Sequence, residues 1–214
     1  FAPGVTLNTA APDGATRLQG CYLQDAGLVF TGAGSLTMNH CDWQGDYATP
    51  RIALESRRIK VTVTNSLFAT RNANALAVID AELNVSASQF TGCGAAQYAA
   101  GAIFHINATR SIQHCRFEEC VGGNGGALYV SDLLGVDGCE FIACRSTGFK
   151  NVTDLAVYTA RYASRSHALT ASVFRQCSLS IGKANYSYDQ TTLVTNSQFH
   201  DGNLYFHDKE RNTT

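Results

Sequence analysis

The sequence predicts an all-β protein, a single right-handed parallel β-helix of about eight stacked coils. Three observations predict it. Apolar residues alternate with polar ones in short runs, with no sustained 3.6-residue stripe. One side-chain signature recurs eight times along the 214 residues. A second short apolar run follows most copies after a turn.

The short runs come first. They include Val61-Thr62-Val63, Leu83-Asn84-Val85, Ile103-Phe104-His105-Ile106 and Leu204-Tyr205-Phe206, separated by clusters of Gly, Asn, Asp and Ser. Alternation bounded by such clusters is the pattern of short strands. The signature is a small Cys or Ser, any residue, then a large apolar one. It begins at Cys21, Cys41, Ser66, Ser88, Cys115, Cys139, Ser172 and Ser197, with spacings of 20, 25, 22, 27, 24, 33 and 25 residues. Gly, His, Asn or Ala precedes each copy. The second run reads Leu28-Val29-Phe30, Ile52-Ala53-Leu54, Leu76-Ala77-Val78, Leu128-Tyr129-Val130 and Leu204-Tyr205-Phe206.

A coil of about 25 residues cannot bury its own apolar face, whereas stacked coils bury it and pair their backbones. Residues two apart on a strand share a face. The signature therefore predicts two inward columns, one of Cys/Ser and one of Phe/Trp/Leu. Seven steps of about 4.8 Å give a rod roughly 34 Å long. A sandwich of hairpins would not repeat one signature eight times, and Asn-Gly or Asp-Gly hairpin turns are scarce. The long spacing between residues 144 and 172 predicts an inserted loop.

These residues carry a family resemblance. The chain resembles the pectate-lyase-like superfamily of right-handed β-helices, and more narrowly the polymorphic outer membrane protein repeats, with their GGA[I/L/V] and FxxN motifs. Gly125-Gly126-Ala127-Leu128 is a full GGAL and Gly101-Ala102-Ile103 a shortened copy. Where the family pattern has Asn, this chain has Cys, at Phe90–Cys93, Phe117–Cys120, Phe141–Cys144 and Phe174–Cys177. The resemblance implies the fold and says little about function.

The eight cysteines fall into two columns. Cys21, Cys41, Cys115 and Cys139 take the small-residue position, and Cys93, Cys120, Cys144 and Cys177 lie three after the large one. Adjacent coils bring column neighbours to about 4.8 Å between Cα atoms, inside the range a disulfide tolerates. The expected pairs are Cys21–Cys41, Cys115–Cys139, Cys93–Cys120 and Cys144–Cys177, with Cys120–Cys144 equally close. No CxxC pair or nearby paired His suggests a metal site, and no cofactor is expected.

Charged residues make up only 15% of the chain and the net charge is −1, so nothing points to nucleic acid or anionic lipid. No run approaches 18 apolar residues, so no membrane span is expected. The opening FAPGVTLNT has neither the basic nor the apolar region of a signal; a leader removed, or a piece of a longer chain, is expected around one domain over residues 1–214. Five Asn-X-Ser/Thr sequons, at Asn84, Asn107, Asn151, Asn185 and Asn212, point to N-glycosylation and an extracellular setting.

Catalytic residues are not expected. Arg58-Ile59-Lys60 matches a short triplet of polygalacturonase-like enzymes without their carboxylate elements. His40-Cys41-Asp42 and His114-Cys115 are acid/base fragments, and Asp132/Asp137 and Glu118/Glu119 share no coil position. The expected role is a stiff, disulfide-stapled, glycosylated extracellular rod. It would act as a fibre subunit or adhesin stalk and associate end to end or with other extracellular proteins. A β-helix polysaccharide lyase or hydrolase is the alternative. A carbohydrate- or host-binding module using Tyr98, Tyr162, Tyr186 and Tyr188 is another. The charged run from His207 to Arg211 is expected to shield the last coil.

Overall fold

The computed structural model describes residues 6–9, 14–31, 34–97, 99–106, 110–130, 135–148, 154–159, 167–182 and 192–207. These contain strands and turns and no helix, and every strand pairing is parallel between successive rungs. The molecule is a parallel β-solenoid with three faces.

The first face is an eight-stranded sheet running from Ala15–Gln19 through Ser35–Asn39, Lys60–Thr64 and Leu83–Ser86 to Thr192–Thr195. The other two faces form one fifteen-stranded sheet. The second face carries the signature, in register from Leu23 to Trp43 to Phe68 to Phe90 to Phe117 to Phe141 to Phe174 to Phe199. The third aligns Leu28, Leu54, Leu76, Ile103, Leu128, Val157, Leu179 and Leu204. The expected run Ile52-Ala53-Leu54 thus enters this column at Leu54. A three-residue register shift between Asp46 and Arg51, inside the 16-residue strand Asp42–Arg57, sets Leu54 rather than Ile52 beside Leu28 and Leu76.

About five turns are traced nearly continuously, fewer than the eight coils expected. Residues 149–153 and 160–166, which fall in the expected inserted loop, lie outside the described residues.

The core is a set of columns. Phe68, Phe90, Phe117, Phe141 and Phe174 are wholly buried. Successive rings from Phe68 to Phe199 stack with centroids 4.7–5.0 Å apart, and Trp43 caps the stack 5.9 Å from Phe68. The spacing equals one rung, because parallel strands impose that translation on every equivalent atom. On the first face Met38, Val63, Val85, Ile112, Val136 and Leu169 form a second buried column. The Gly-Gly-Ala motif is explained by close approach between rungs. A Cβ on Gly101 would lie 1.9 Å from the Gly126 carbonyl oxygen, and one on Gly126 would lie 2.4 Å from the Arg145 nitrogen.

Candidate functional site

The corner between the first and second faces is built by one local rule. The residue before each signature lies in the left-handed region: Gly20, His40, Asn65, Ala87, His114, Gly138, Ala171 and Asn196, with φ between 48° and 59°. Its N–H donates to the rung above, as in His40 to the Thr64 carbonyl at 3.2 Å and His114 to the Asp137 carbonyl at 3.0 Å. The next residue must be small and must donate across the corner. Ser66 Oγ donates to the Thr64 carbonyl at 2.8 Å and accepts the Cys41 N–H at 3.1 Å. Cys115 Sγ donates to the Gln113 carbonyl at 3.2 Å in the same way. Cys and Ser exchange along this column because each is a small donor.

The second corner repeats the rule. Asp25, Gly92, Glu119, Ala143, Gln176 and Asp201 have positive φ, and the cysteine after Gly92, Glu119, Ala143 and Gln176 points inward. Cys93, Cys120, Cys144 and Cys177 each donate to the carbonyl of the large residue one rung below, at 3.3–3.5 Å.

All eight cysteines are thiols in the structure, and only Cys21 is not buried. The register sets Cys21 one rung from Cys41 and Cys115 one rung from Cys139, and it lines up Cys93, Cys120, Cys144 and Cys177 on successive rungs. Burial pushes the Cys177 thiol up to about 12. Burial, then contact with Cys144 and Cys93, holds Cys120 well above the ordinary thiol range. Translation along the rod sets the Cβ separation of column neighbours to about 4.8 Å, longer than the roughly 3.5–4.5 Å of a disulfide. A bridge between interior rungs therefore needs the two rungs to close locally.

The acid/base fragments do not converge. His40 and Asp42 line one shallow depression of about 450 Å³, with Asn65, Ser66 and Gln89. The Asp42 carboxylate there accepts both contacts from Gln44 Nε2, at 3.0 and 3.2 Å. His114 sits at the same corner three rungs on, packed over Gly138. Asp137 accepts from Thr170 Oγ1; Asp132 lies outside the described residues. Glu118 pairs with Arg116, and Glu140 bridges Arg116 and Arg175. Arg58-Ile59-Lys60 is a third corner: Arg58 has φ 63°, Ile59 is buried, and Lys60 pairs with Glu82 at 2.9 Å.

A groove missed by the sequence reading runs along the second corner. Gln24, Asp25, Gln44, Asp46, Arg71 and Glu119 line about 450 Å³ of it. Asp25 Oδ1 accepts the Asp46 N–H at 3.1 Å. The residues come from separate rungs, so no local motif announces them; the one signal is the acidic side chain two after the large apolar residue at Asp25 and Glu119. Three carboxylates and a guanidinium along a shallow channel can hydrogen-bond a polar chain. Among the described residues no group of three His, Cys, Asp or Glu could hold a metal ion, and no helix is long and apolar enough to cross a membrane.

Asn84 lies on the first face between buried Leu83 and Val85, partly exposed, with Nδ2 donating to Glu82 Oε1 at 2.8 Å. Asn107, Asn151, Asn185 and Asn212 lie outside the described residues, as do Tyr98, Tyr162, Tyr186, Tyr188 and residues 208–211. A different aromatic ladder exists on the third face, Phe104–Tyr129–Tyr158, with centroids 5.3 and 5.5 Å apart; Phe104 and Tyr129 are partly exposed and Tyr158 is buried. Its rings stack on one another, so they offer edges rather than faces to a ligand.

No protein-family model, curated protein or solved structure matches the chain. The functional reading therefore rests on geometry.

Proposed function

We propose that the chain is a non-catalytic structural protein, a glycosylated extracellular rod that associates end to end as a fibre subunit or adhesin stalk. One observation carries the reading. Among the described residues, the partly buried ones packed on the core are Leu18, Cys21, Val194, Phe199 and Leu204, and all belong to the outermost described rungs. Among the described residues the columns are sealed along their length and least buried at the two outermost described rungs. Terminal strands also leave one side of the backbone unpaired among the described residues, and such edges template further pairing. Joining the last rung of one copy to the first of another is a heterologous contact that does not close.

The polar residues of the faces support a non-catalytic role. Asp42, Asp137, Glu118 and Glu140 are tied to neighbours along their own rungs or columns, leaving few carboxylates for acid/base work. The sequons and the low charge favour an extracellular, sugar-bearing surface, and the GGAL corner keeps the likeness to outer-membrane repeat proteins. Sedimentation velocity over a concentration series tests the reading. End-to-end association is expected to give a growing series of species that Leu204→Glu suppresses. A single species at all concentrations, unchanged by Leu204→Glu, contradicts it.

The groove of Asp25, Asp46, Arg71 and Glu119 favours a second reading, a carbohydrate-active β-helix. Incubation with polyuronates, with and without Ca2+, separates the two: release of new reducing or unsaturated ends supports the enzyme.

A further inference from the structure

We propose that Cys21 and Cys41 form a thiol–disulfide exchange site at the first rung, and that no other pair among the eight cysteines exchanges while the protein is folded. Access decides which thiol can react. Seven of the eight cysteines are buried and only Cys21 reaches solvent. Exchange begins with attack by an accessible thiolate on a disulfide sulfur. Cys21 alone meets that condition, and Cys41 lies at the same corner one rung on, where the Asp42 N–H donates to the Cys21 carbonyl at 2.9 Å.

Freedom to move decides which pair can close. The strands flanking Cys21, Ala15–Gln19 and Tyr22–Gln24, have a partner on one side only among the described residues. Closing this pair by the few tenths of an ångström that separate rung spacing from disulfide geometry therefore disturbs ladder bonds on one side only among the described residues. Interior cysteines are clamped from both sides. The rung of Cys115 is held above by Glu140 N–H on the Cys115 carbonyl and below by Arg116 N–H on the Ser88 carbonyl, at 2.9 and 3.0 Å.

The chemistry is ordinary exchange with a small-molecule disulfide such as oxidised glutathione. The Cys21 thiolate attacks one glutathione sulfur, the S–S bond breaks, and one glutathione leaves as a thiolate. The Cys41 sulfur then attacks the Cys21 sulfur of the mixed disulfide and expels the second glutathione. Two protein thiols are oxidised, one small disulfide is reduced to two thiols, and the two protons pass to the leaving thiols. Cys41 is buried, out of reach of an external disulfide, so Cys41 resolves the mixed disulfide rather than initiating. The product ties the first rung to the second across 20 residues. This inference does not depend on end-to-end association.

The test is incubation of the folded protein with oxidised glutathione at neutral pH, followed by unfolding, alkylation and peptide mass mapping, with circular dichroism confirming that the fold persists. The free thiol count is expected to fall from eight to six, with one Cys21–Cys41 bridge. Cys41→Ser should trap a glutathione on Cys21, and Cys21→Ser should keep all seven remaining thiols free. Serine already fills this column at Ser66 and Ser88, so both variants fit the rung. A thiol count that stays at eight, a bridge or glutathione at any other cysteine, or loss of thiols in Cys21→Ser overturns the proposal.

Discussion

At Ala87 the backbone φ is 48°, a conformation that costs a residue with a Cβ about 1 kcal/mol relative to glycine. The side chain is exposed, so it returns no packing energy. Ala87→Gly is therefore expected to raise stability by about 1 kcal/mol in urea unfolding. The adjacent small residue acts in the opposite sense. Ser66 Oγ is the acceptor for the buried Cys41 N–H and the donor to the Thr64 carbonyl. Ser66→Ala leaves that N–H without its partner and is expected to cost roughly 1–3 kcal/mol, read in the same titration. The corner rule was half legible in the sequence. Gly and Asn before the small residue signal a left-handed turn, but His40 and His114 in the same place resemble catalytic side chains until the rungs are stacked. Their position is a backbone requirement shared with Gly20 and Ala171, which carry no such chemistry.

An element here is a column rather than a strand, since no strand of three residues is stable alone. Phe117 sits mid-stack, wholly buried, with ring centroids 4.9 Å from Phe90 and 5.0 Å from Phe141. Phe117→Ala removes both contacts and opens a cavity between clamped rungs, at an expected cost of about 3–5 kcal/mol. The cysteine column adds a pH dependence. Burial pushes the Cys177 thiol up to about 12 from an ordinary 9.0. Between those values the unfolded chain has lost the proton that the folded chain keeps, so stability falls as pH rises. It is full below about 9 and declines towards about 12. Thermal melts across that window are expected to show the decline, and Cys177→Ser to reduce it. A melting profile unaffected by the serine would place the loss elsewhere. The columns were legible because inward residues recur as a type. The groove was not, because Asp25, Asp46, Arg71 and Glu119 each look like an ordinary outward residue of their own rung. The two-residue offset at Ile52 was hidden by the irregularity after Asp46, which shifts register without altering the alternation of apolar residues nearby.

At the scale of the whole molecule, one translation generates almost everything: the ring spacing, the ladder bonds around the corners and the column contacts of the cysteines. A structure made by repetition is as stable at each interior rung as its neighbours allow, and the outermost described rungs have fewer paired neighbours among the described residues. That is where the half-buried Leu18, Val194, Phe199 and Leu204 lie, where exposed Leu193 sits, and where Cys21 meets solvent. Continuity along the axis is the property that the proposed building unit requires. The measurement that tests this most directly is electron microscopy of the purified protein, with diffraction from the images. The account predicts thin rods that lengthen end to end as concentration rises, with an axial repeat of about 4.8 Å. Compact separate particles at every concentration, without that repeat, would contradict it.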